Sequence, residues 1–346
     1  MTTQEPIEQR IDRLQTGGII DLHFDLLMDL YEKRQRKSVL ETEFLPELEV
    51  GNVGVVGVAI YIENRYLPDS GLRVALDQIA RLYAETQACS RFAISKSYHD
   101  IQKAREDRKI ALVITMEGVE ALGTDLNLLR AFYELGVRSI GLTHARSNAA
   151  GHGGIFASSG SSQKGLTEFG RDLVRECEAL GVIVDLAHIN AAGFNEVLSM
   201  TTKPPIVSHT NVRRYYDIER NISDEQIKMI GERRGVIGIN SVLVGPKKEE
   251  STLDRYVDHI EYVTNLIGIN GVGVGFDFFE FIYSQWPESA KRELAEKLTT
   301  PQFIPDLRNH AHARNLTRKL IERGFNDQQI EKILRGNWLR IFEEWL

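Results

Sequence analysis

An apolar segment close to the N-terminus ends in two side chains that could hold a metal ion. Residues 18–25 read Gly-Ile-Ile-Asp-Leu-His-Phe-Asp, so His23 and Asp25 stand two positions apart. In an extended strand, residues two apart point to the same side, which would bring this imidazole and this carboxylate together. Both groups are good ligands for zinc-like cations. A His-x-Asp pair by itself is a weak signal.

The same arrangement, an apolar run with a potential ligand at its far end, recurs along the chain. The later runs end at or beside five polar residues, which are Glu117, His144, His188, His209 and Asp277. Any one of the histidines alone would more often be a structural residue. A carboxylate such as Glu117, at the end of an apolar run, must be paired or metal-bound to offset its desolvation. The recurrence therefore indicates a metal hydrolase.

Eight apolar runs are the predicted strands that position these side chains. They are almost continuously apolar, which is typical of a parallel sheet covered on both faces. Amphipathic segments, predicted to be helices, separate most of them. The predicted strands are residues 18–25, 53–62, 110–118, 139–144, 182–188, 205–209, 236–244 and 271–277, and the predicted helices include residues 72–95, 126–135, 167–180, 224–233 and 253–267.

Eight alternating strand and helix units favour the α/β class and a (β/α)8 TIM-type barrel with C-terminal helices. Active sites of such barrels lie at the C-terminal ends of the strands, where the candidate ligands stand. We expect one domain over residues 1–346, with a polar leader at 1–17 and helices within 309–346 that pack on the barrel. An open, doubly wound sheet is the alternative fold, but no Gly-x-Gly-x-x-Gly turn follows the first strand.

Composition narrows the class of protein. The chain has 346 residues, 42% of them hydrophobic, and a net charge of −7, which argues against nucleic acid as a partner. The two cysteines, Cys89 and Cys177, lie in amphipathic patterns and are predicted to be free thiols. No signal-like or membrane-length apolar run occurs, so we expect a cytoplasmic protein without a membrane anchor.

The number of ligands suggests the chemistry. Three histidines, an aspartate and a glutamate are too many protein ligands for one open catalytic zinc. They suit two divalent ions about 3.5–4 Å apart. No lysine ends a predicted strand, so Glu117 is the natural bridging residue. Such a pair would acidify a bridging water, which becomes a hydroxide, and would polarise a carbonyl or phosphoryl oxygen.

The ordered motifs resemble the membrane (renal) dipeptidase family of zinc dipeptidases, which are amidohydrolase-like barrels. The similarity runs from about residue 18 to the C-terminus, nearly the whole chain. Each motif alone is a poor classifier, but their order and spacing are specific. They are Asp21-Leu-His-Phe-Asp25, Met116-Glu-Gly118, Gly136-Val-Arg-Ser-Ile-Gly-Leu-Thr-His144, Val184-Asp-Leu-Ala-His188, Val207-Ser-His209, Glu219-Arg-Asn221, Gly235-Val-Ile-Gly-Ile-Asn240, Gly273-Val-Gly-Phe-Asp277 and Leu334-Arg-Gly-Asn337.

The resemblance implies a role for each matching residue. One metal would be bound by His23, Asp25 and Glu117, and the other by Glu117, His188 and His209, with Zn²⁺ as the expected ion at both positions. His144 would donate to the scissile carbonyl oxygen. Arg220 would bind the terminal carboxylate of the substrate. Asp277 would lie near the substrate amine and pass a proton to the leaving nitrogen. Glu117, His144 and Asp277 are thus the expected catalytic residues.

The implied function is hydrolysis of free-ended dipeptides, L,L and also L,D, by a homodimer. A metal hydrolase of the same fold acting on another amide, a lactone or an ester is the alternative. Phe24, Phe278-Phe279 and the loop that contains His152 depart from the family pattern and keep this alternative open. A non-catalytic scaffold on a decayed barrel is a third reading, which the five filled ligand positions oppose.

Overall fold

Parallel β-strands form the centre of the structure, a computed structural model that describes residues 5–156, 159–160 and 162–346. Every strand pairing found among these residues is parallel, as the continuous apolar runs predict. The strands are β1 (Ile19–Phe24), β2 (Val53–Tyr61), β3 (Phe92–Ile94), β4 (Ile110–Glu117), β5 (Val137–Gly141), β6 (Ile183–Asp185), β7 (Ile206–Thr210), β8 (Val236–Ile239) and β9 (Val272–Val274).

Eight of the strands close into a barrel. The pairing order runs β2-β1-β9-β8-β7-β6-β5-β4, and β2 also pairs with β4, from Val55↔Ala111 to Tyr61↔Glu117. This last pairing joins the two ends of the sheet. The predicted (β/α)8 TIM-type barrel is therefore confirmed, and the alternative of an open, doubly wound sheet is wrong.

One of the nine strands, β3, was not among the eight that the sequence predicts. The predicted helix over residues 72–95 ends at Ala88, and Cys89 already has an extended backbone. Residues Phe92–Ile94 then pair with residues 110–112 of β4, just before β5 begins to pair with the same strand. A strand of three residues is too short to show an alternating pattern in the sequence.

Helices surround the barrel and extend beyond it. The α-helices of the described residues are α1 (Ile7–Gln15), α2 (Leu26–Glu32), α3 (Leu45–Val50), α4 (Gly71–Ala88), α5 (Tyr98–Glu106), α6 (Asn127–Leu135), α7 (Glu168–Leu180), α8 (Ala191–Met200), α9 (Asp224–Glu232), α10 (Leu253–Ile267), α11 (Glu280–Tyr283), α12 (Glu288–Lys297), α13 (Ala313–Glu322), α14 (Asp327–Glu331) and α15 (Asn337–Trp345). None of them has both the length and the apolarity that a membrane-spanning helix needs.

Local residues fix the ends of several of these helices. Gly136 and Gly181 end α6 and α7 in the left-handed conformation, with φ of 112° and 78°. Ser223 and Gln226 form a capping box at the start of α9. The polar leader differs from expectation, because its residues 7–15 form α1, which buries Ile11 and Leu14.

The C-terminal helices close the barrel at the end opposite the predicted site. Trp338 of α15 is fully buried, and its indole N–H donates to the carbonyl of Val274 at 2.9 Å. Apolar residues from the starts of most strands pack against α15, among them Ile20, Val55, Ala111, Ile183, Ile206 and Val236. Within the region 309–346, where helices were predicted, the first α-helix begins at Ala313, and a π-helical turn at Lys332–Gly336 lies between α14 and α15.

Both cysteines are buried free thiols, as predicted. Burial raises the pKa of Cys177, so this thiol stays protonated. Neither cysteine lines the cavity described below.

Candidate metal centre and active site

The predicted site residues lie together at the C-terminal end of the barrel. His23 and His209 belong to β1 and β7, and Glu117 is the last residue of β4. Asp25 follows β1 directly, while His144, His188 and Asp277 each lie three residues beyond their strands. The predicted strands 139–144, 182–188, 236–244 and 271–277 were therefore too long at their C-terminal ends.

Two of these residues have a backbone that cannot continue a strand. His188 has φ of 64° and Asp277 has φ of 58°, both in the left-handed region. This region is uncommon for residues other than glycine, and such residues often occur at functional sites. The turn after each short strand directs the side chain into the barrel mouth. Asp25 directly follows β1, and its ψ of 30° turns the chain into α2. Its carboxylate faces the same possible ion position as His23, as the two-residue spacing predicts.

Glu117 lies at the centre of a cluster of imidazoles. Its Oε1 atom is 2.9 Å from Nε2 of His188, 3.5 Å from Nε2 of His209 and 3.9 Å from Nε2 of His23. The Nε2 atoms of His188 and His209 are themselves 2.9 Å apart. Three imidazole nitrogens from three strands of the barrel therefore face one carboxylate oxygen.

A second group of carboxylates surrounds His23. Its Nε2 atom lies 3.7 Å from Oδ1 of Asp25 and 3.7 Å from Oδ1 of Asp277. Three sets of side chains in the described residues could each hold one ion, with ligand atoms within 4.8 Å of one another. They are His23, Asp25 and Glu117; Glu117, His188 and His209; and His23, His209 and Asp277. The first two sets are the ligand sets that the sequence predicts, and the third adds Asp277.

Burial keeps two of the histidines in the form that binds metals. The pKa values of His188 and His209 fall well below the usual range, mainly because burial disfavours the charged imidazolium. Burial also acts to lower the pKa of His23, but Glu117, Asp25 and Asp277 outweigh it and raise that pKa to about 10. The excess of acidic groups around His23 means that positive charge is favoured at this position.

The donor set fits divalent cations. Oδ1 of Asp25 and Nδ1 of His188 are buried without a hydrogen-bond partner among the described residues. A buried carboxylate oxygen without a donor is costly unless a cation or a proton neutralises it. Imidazole nitrogen together with carboxylate oxygen suits zinc, manganese, iron and cobalt.

Two buried aspartates orient the strands that carry the histidines. Oδ1 of Asp21 accepts the backbone N–H groups of His23, at 3.3 Å, and Phe276, at 2.8 Å. Oδ1 of Asp185 accepts those of Ala187, at 3.0 Å, and Ser208, at 2.8 Å. Each carboxylate thus joins the ends of two strands next to a candidate ligand, a form of support often found around metal sites. The signal in the sequence was an aspartate inside an apolar run, to which no role was given.

Arg220 carries a buried positive charge at the edge of the cluster. Its side chain is 6% exposed, and its guanidinium donates to the carbonyl of His209 at 3.0 Å and to Oγ1 of Thr210 at 3.3 Å. Within the described residues, no carboxylate lies within ion-pairing distance of it. The neighbouring arginines differ, since Arg214 is exposed and Arg213 bonds to Asp217 at 3.2 Å. Of these three arginines, only Arg220 is therefore placed to bind an anionic group inside the barrel mouth.

His144 lies beside His188 and Tyr61 and is uncharged at neutral pH. Its ring centre is 4.3 Å from that of His188 and 4.9 Å from that of Tyr61. Burial lowers the pKa of His144 to about 4. A neutral imidazole can still donate one N–H to a substrate oxygen.

Two further polar residues at the site were not predicted. Tyr61 is the last residue of β2, and Asn240 directly follows β8. Asn240 donates from Nδ2 to Oδ2 of Asp277 at 2.7 Å. Their strands are the two for which no candidate was proposed, so position at a strand end was the only signal that could have found them.

The departures from the family motifs have different structural outcomes. Phe24 is fully buried and points away from the ligands, with its ring 5.7 Å from that of Phe44 and 5.4 Å from that of Phe281. His152 hydrogen bonds with Ser147 at 2.7 Å and does not line the cavity. Phe279, in contrast, does line it.

A cavity of about 140 Å³ opens above the candidate ligands. At roughly 10–15 Å³ for each water-sized position, it has room for about ten water molecules, the scale of a small peptide. Asp25, Glu117, His144, His188, Arg220 and Asp277 all line it.

Comparison with known families explains the arrangement. Residues 8–345 match the peptidase family M19, described as membrane dipeptidase. The chain belongs to the M19 family. This match extends over nearly the whole chain and confirms the resemblance inferred from the motifs. Membership of M19 makes the protein a hydrolase of the metallo-dipeptidase class.

Two of the relatives of this chain are named as dipeptidases. The chain is 27% identical to dipeptidase tcpJ of Claviceps purpurea over an alignment of 315 residues. This alignment covers 87% of this chain and 68% of the fungal protein. The chain is 26% identical to dipeptidase 3 of Rattus norvegicus over an alignment of 354 residues. This alignment covers 97% of this chain and 67% of the rat protein.

Solved structures of similar fold include a metallopeptidase from Rhodobacter sphaeroides, crystallised with a phosphinate mimic of the dipeptide L-Ala-D-Ala. It superposes with a TM-score of 0.82 at 24% identity and covers 95% of this chain and 99% of its own. The probable dipeptidase PvdM from Pseudomonas aeruginosa superposes with a TM-score of 0.80 at 19% identity and covers 98% of both chains. At these identities the likeness supports the barrel fold.

Proposed function

We propose that this M19 protein is a two-metal dipeptidase that hydrolyses free-ended dipeptides, L,L as well as L,D. The observation that carries the proposal is the convergence of three imidazoles on Glu117, beside the buried and unpaired guanidinium of Arg220. The first feature suits metal-assisted hydrolysis, and the second suits a substrate with a free carboxylate.

The chain's own residues would divide the ligands between two ions. His23, Asp25 and Glu117 would hold one, and Glu117, His188 and His209 the other, with Zn²⁺ as the proposed ion. Bound ions would supply an activated water at neutral pH and polarise the amide carbonyl.

Arg220 and Asp277 would hold the two ends of a dipeptide. The guanidinium would form a charge-assisted pair with the terminal carboxylate, in a buried place where such a pair is strong. Asp277 would face the substrate amine through Oδ1, because Asn240 engages its Oδ2. A substrate with a blocked end would leave the buried charge of either Arg220 or Asp277 without a partner. The site should therefore reject such a substrate.

Two groups would handle the oxyanion and the proton. His144 would donate its N–H to the carbonyl oxygen as negative charge develops there. Burial raises the pKa of Asp277 above the usual range of a carboxyl, which would help it to take up the proton that the attacking water loses. It would deliver this proton to the leaving nitrogen. The cytoplasmic location and the homodimer remain predictions.

Elemental analysis together with a dipeptide panel tests the proposal. We expect about two divalent ions per chain and turnover of Ala-Ala in the L,L and L,D forms, with no turnover of the N-acetylated dipeptides. Glu117→Gln should lose metal and activity together, by roughly 100-fold or more. Glu176→Gln, an exposed change on α7, is the matched control. Two ions without dipeptide turnover would refute the dipeptidase proposal and favour another amide or ester as substrate.

A further inference from the structure

The cavity above the candidate ligands has one wall made almost entirely of apolar side chains. The wall comes from the segment that follows Asp277, which contains α11, α12 and the loop after them. Seven of its residues line the cavity; one is Thr299, and the other six are apolar, namely Phe279, Ile282, Trp286, Leu294, Leu298 and Pro301. We call these six residues the apolar wall.

No charged residue of this segment lines the cavity. The cavity's histidines and charged residues all belong to the cluster already described or to Arg220. Charged residues of the segment pair elsewhere: Glu280 bonds to Arg308 at 2.8 Å, and Lys291 bonds to Glu288 at 3.0 Å. Leu294 lies on α12 and Leu298 directly follows the last residue of that helix, and both side chains line the cavity. A charged substrate group entering here would lose its hydration without gaining a partner.

Aromatic packing behind the wall holds it in place. The ring of Phe279 lies 5.3 Å from that of Phe303, and the ring of Tyr283 lies 5.8 Å from Phe303 and 6.0 Å from Trp286. The first pair is edge-on and the other two are tilted, and aromatic pairs at these distances stabilise one another beyond simple burial. The wall is therefore a formed surface rather than a single exposed side chain.

We propose that the apolar wall binds the side chain of the N-terminal residue of the dipeptide and selects large apolar side chains. This inference rests on the proposed function, in which Asp277 faces the substrate amine and Arg220 the carboxylate. Phe279 follows Asp277 by only two residues, so the wall begins at the amine end of the substrate. Burial of an apolar side chain against it would favour binding in proportion to the area removed from water.

Rates on two series of dipeptides test the proposal. The metal-loaded enzyme is assayed with Leu-Ala, Phe-Ala, Gly-Ala, Glu-Ala and Lys-Ala, and with Ala-Leu, Ala-Phe, Ala-Gly, Ala-Glu and Ala-Lys. We expect kcat/KM for Leu-Ala and Phe-Ala to be at least about 10-fold higher than kcat/KM for Gly-Ala. The difference from Glu-Ala and Lys-Ala should be larger still. Equal rates across the first series would overturn the inference, as would a preference confined to the second series.

The same assay separates this inference from the proposed function. If Ala-Ala is hydrolysed but the first series shows no preference, the dipeptidase stands and the selecting wall does not. If no free-ended dipeptide is turned over by protein that contains metal, the proposed function fails and this inference fails with it.

A charge placed in the wall gives a second test. Leu294→Lys should lower kcat/KM for Leu-Ala about 10-fold or more and raise it for Glu-Ala, because the new ammonium can pair with the substrate side chain. Ala295→Lys adds the same charge on the exposed face of α12 and should change neither rate. Metal content and thermal melting of both variants show whether the fold is kept. If Leu294→Lys folds, binds metal and keeps the original selectivity, the wall does not contact the substrate side chain.

Discussion

His310 lies against Asp21 behind the first barrel strand, with its Nε2 atom 2.8 Å from Oδ2 of the aspartate, although 289 residues separate the two in the sequence. Both side chains are fully buried, and the rings of Phe24 and Phe278 contact the imidazole edge-on at 4.6 and 5.0 Å. Asp21 in turn holds the backbone of His23. The C-terminal part of the chain therefore helps to position a candidate metal ligand.

Replacing His310 should cost stability in a manner that depends on pH. Burial lowers the pKa of His310, but the hydrogen bond to Asp21 and the nearby Glu47 outweigh it and raise the pKa from 6.5 to about 9. Because the folded state binds this proton more tightly, the contribution is fully present below pH 6.5 and is lost as pH rises through about 9. The shift corresponds to about 3 kcal/mol.

Denaturant unfolding of His310→Asn and the unmodified protein at pH 6 and pH 9.5 measures this effect. The difference in the free energy of unfolding should be larger at pH 6, whereas the cavity left by the substitution costs the same at both pH values. His99→Asn, at an exposed position, is the control. A difference independent of pH would show that the imidazole is not held in its charged form.

Arg220→Ala should raise KM roughly 10- to 100-fold, because a charge-assisted contact with the substrate carboxylate is lost. Metal content should stay unchanged, since the guanidinium contacts the backbone of His209 and the hydroxyl of Thr210 rather than a ligand atom. Steady-state kinetics and elemental analysis are the measurements. Arg214→Ala, at the exposed neighbouring arginine, should behave as the unmodified enzyme. Loss of metal in Arg220→Ala would contradict the assigned role.

Asn240→Ala should lower kcat by roughly 10- to 100-fold while KM and metal content change little. The amide of Asn240 donates to Oδ2 of Asp277 at 2.7 Å and so orients the proposed proton donor. Asn240→Gln, which keeps the donor on a longer side chain, should recover part of the rate. A large rise in KM with unchanged kcat would place Asn240 in substrate binding instead.

Removal of metal should destabilise the protein as well as inactivate it. Asp25, Glu117 and Asp277 all lie within 4 Å of His23, and their mutual repulsion rises when no cation is bound. An ion that binds only the folded state at 100 times its Kd contributes about 2.7 kcal/mol, so the melting temperature should fall by roughly 4 °C for each ion removed. Calorimetry before and after chelation measures it, with a metal-saturated chelator as control. An unchanged Tm in protein shown to be metal-free would argue against these ligands.

Short-range features of the sequence predicted much of this site. Continuous apolar runs are what a buried parallel strand requires, and His23, Glu117 and His209 do stand at the ends of such runs. The runs of residues 139–144, 182–188 and 271–277 looked longer than the strands they form, because the turn residues after them are also buried. A buried turn and a buried strand have the same hydrophobic pattern.

Residues that act through distant contacts were not predicted. Tyr61 and Asn240 stand at strand ends, but a tyrosine or an asparagine there is equally common as a structural residue. His310 carries no local signal. The role of β3 likewise depends on its pairing with β4 and not on its own three residues.

The sequence by itself determined the barrel and the kinds of ligand at its mouth, because hydrophobic period and residue type are properties of short segments. The tertiary structure decided which arginine is buried, how the imidazoles surround Glu117, and that the segment after Asp277 forms an apolar wall. These features depend on closure of the barrel, which brings together side chains that are far apart along the chain, and on the burial that sets their charge states.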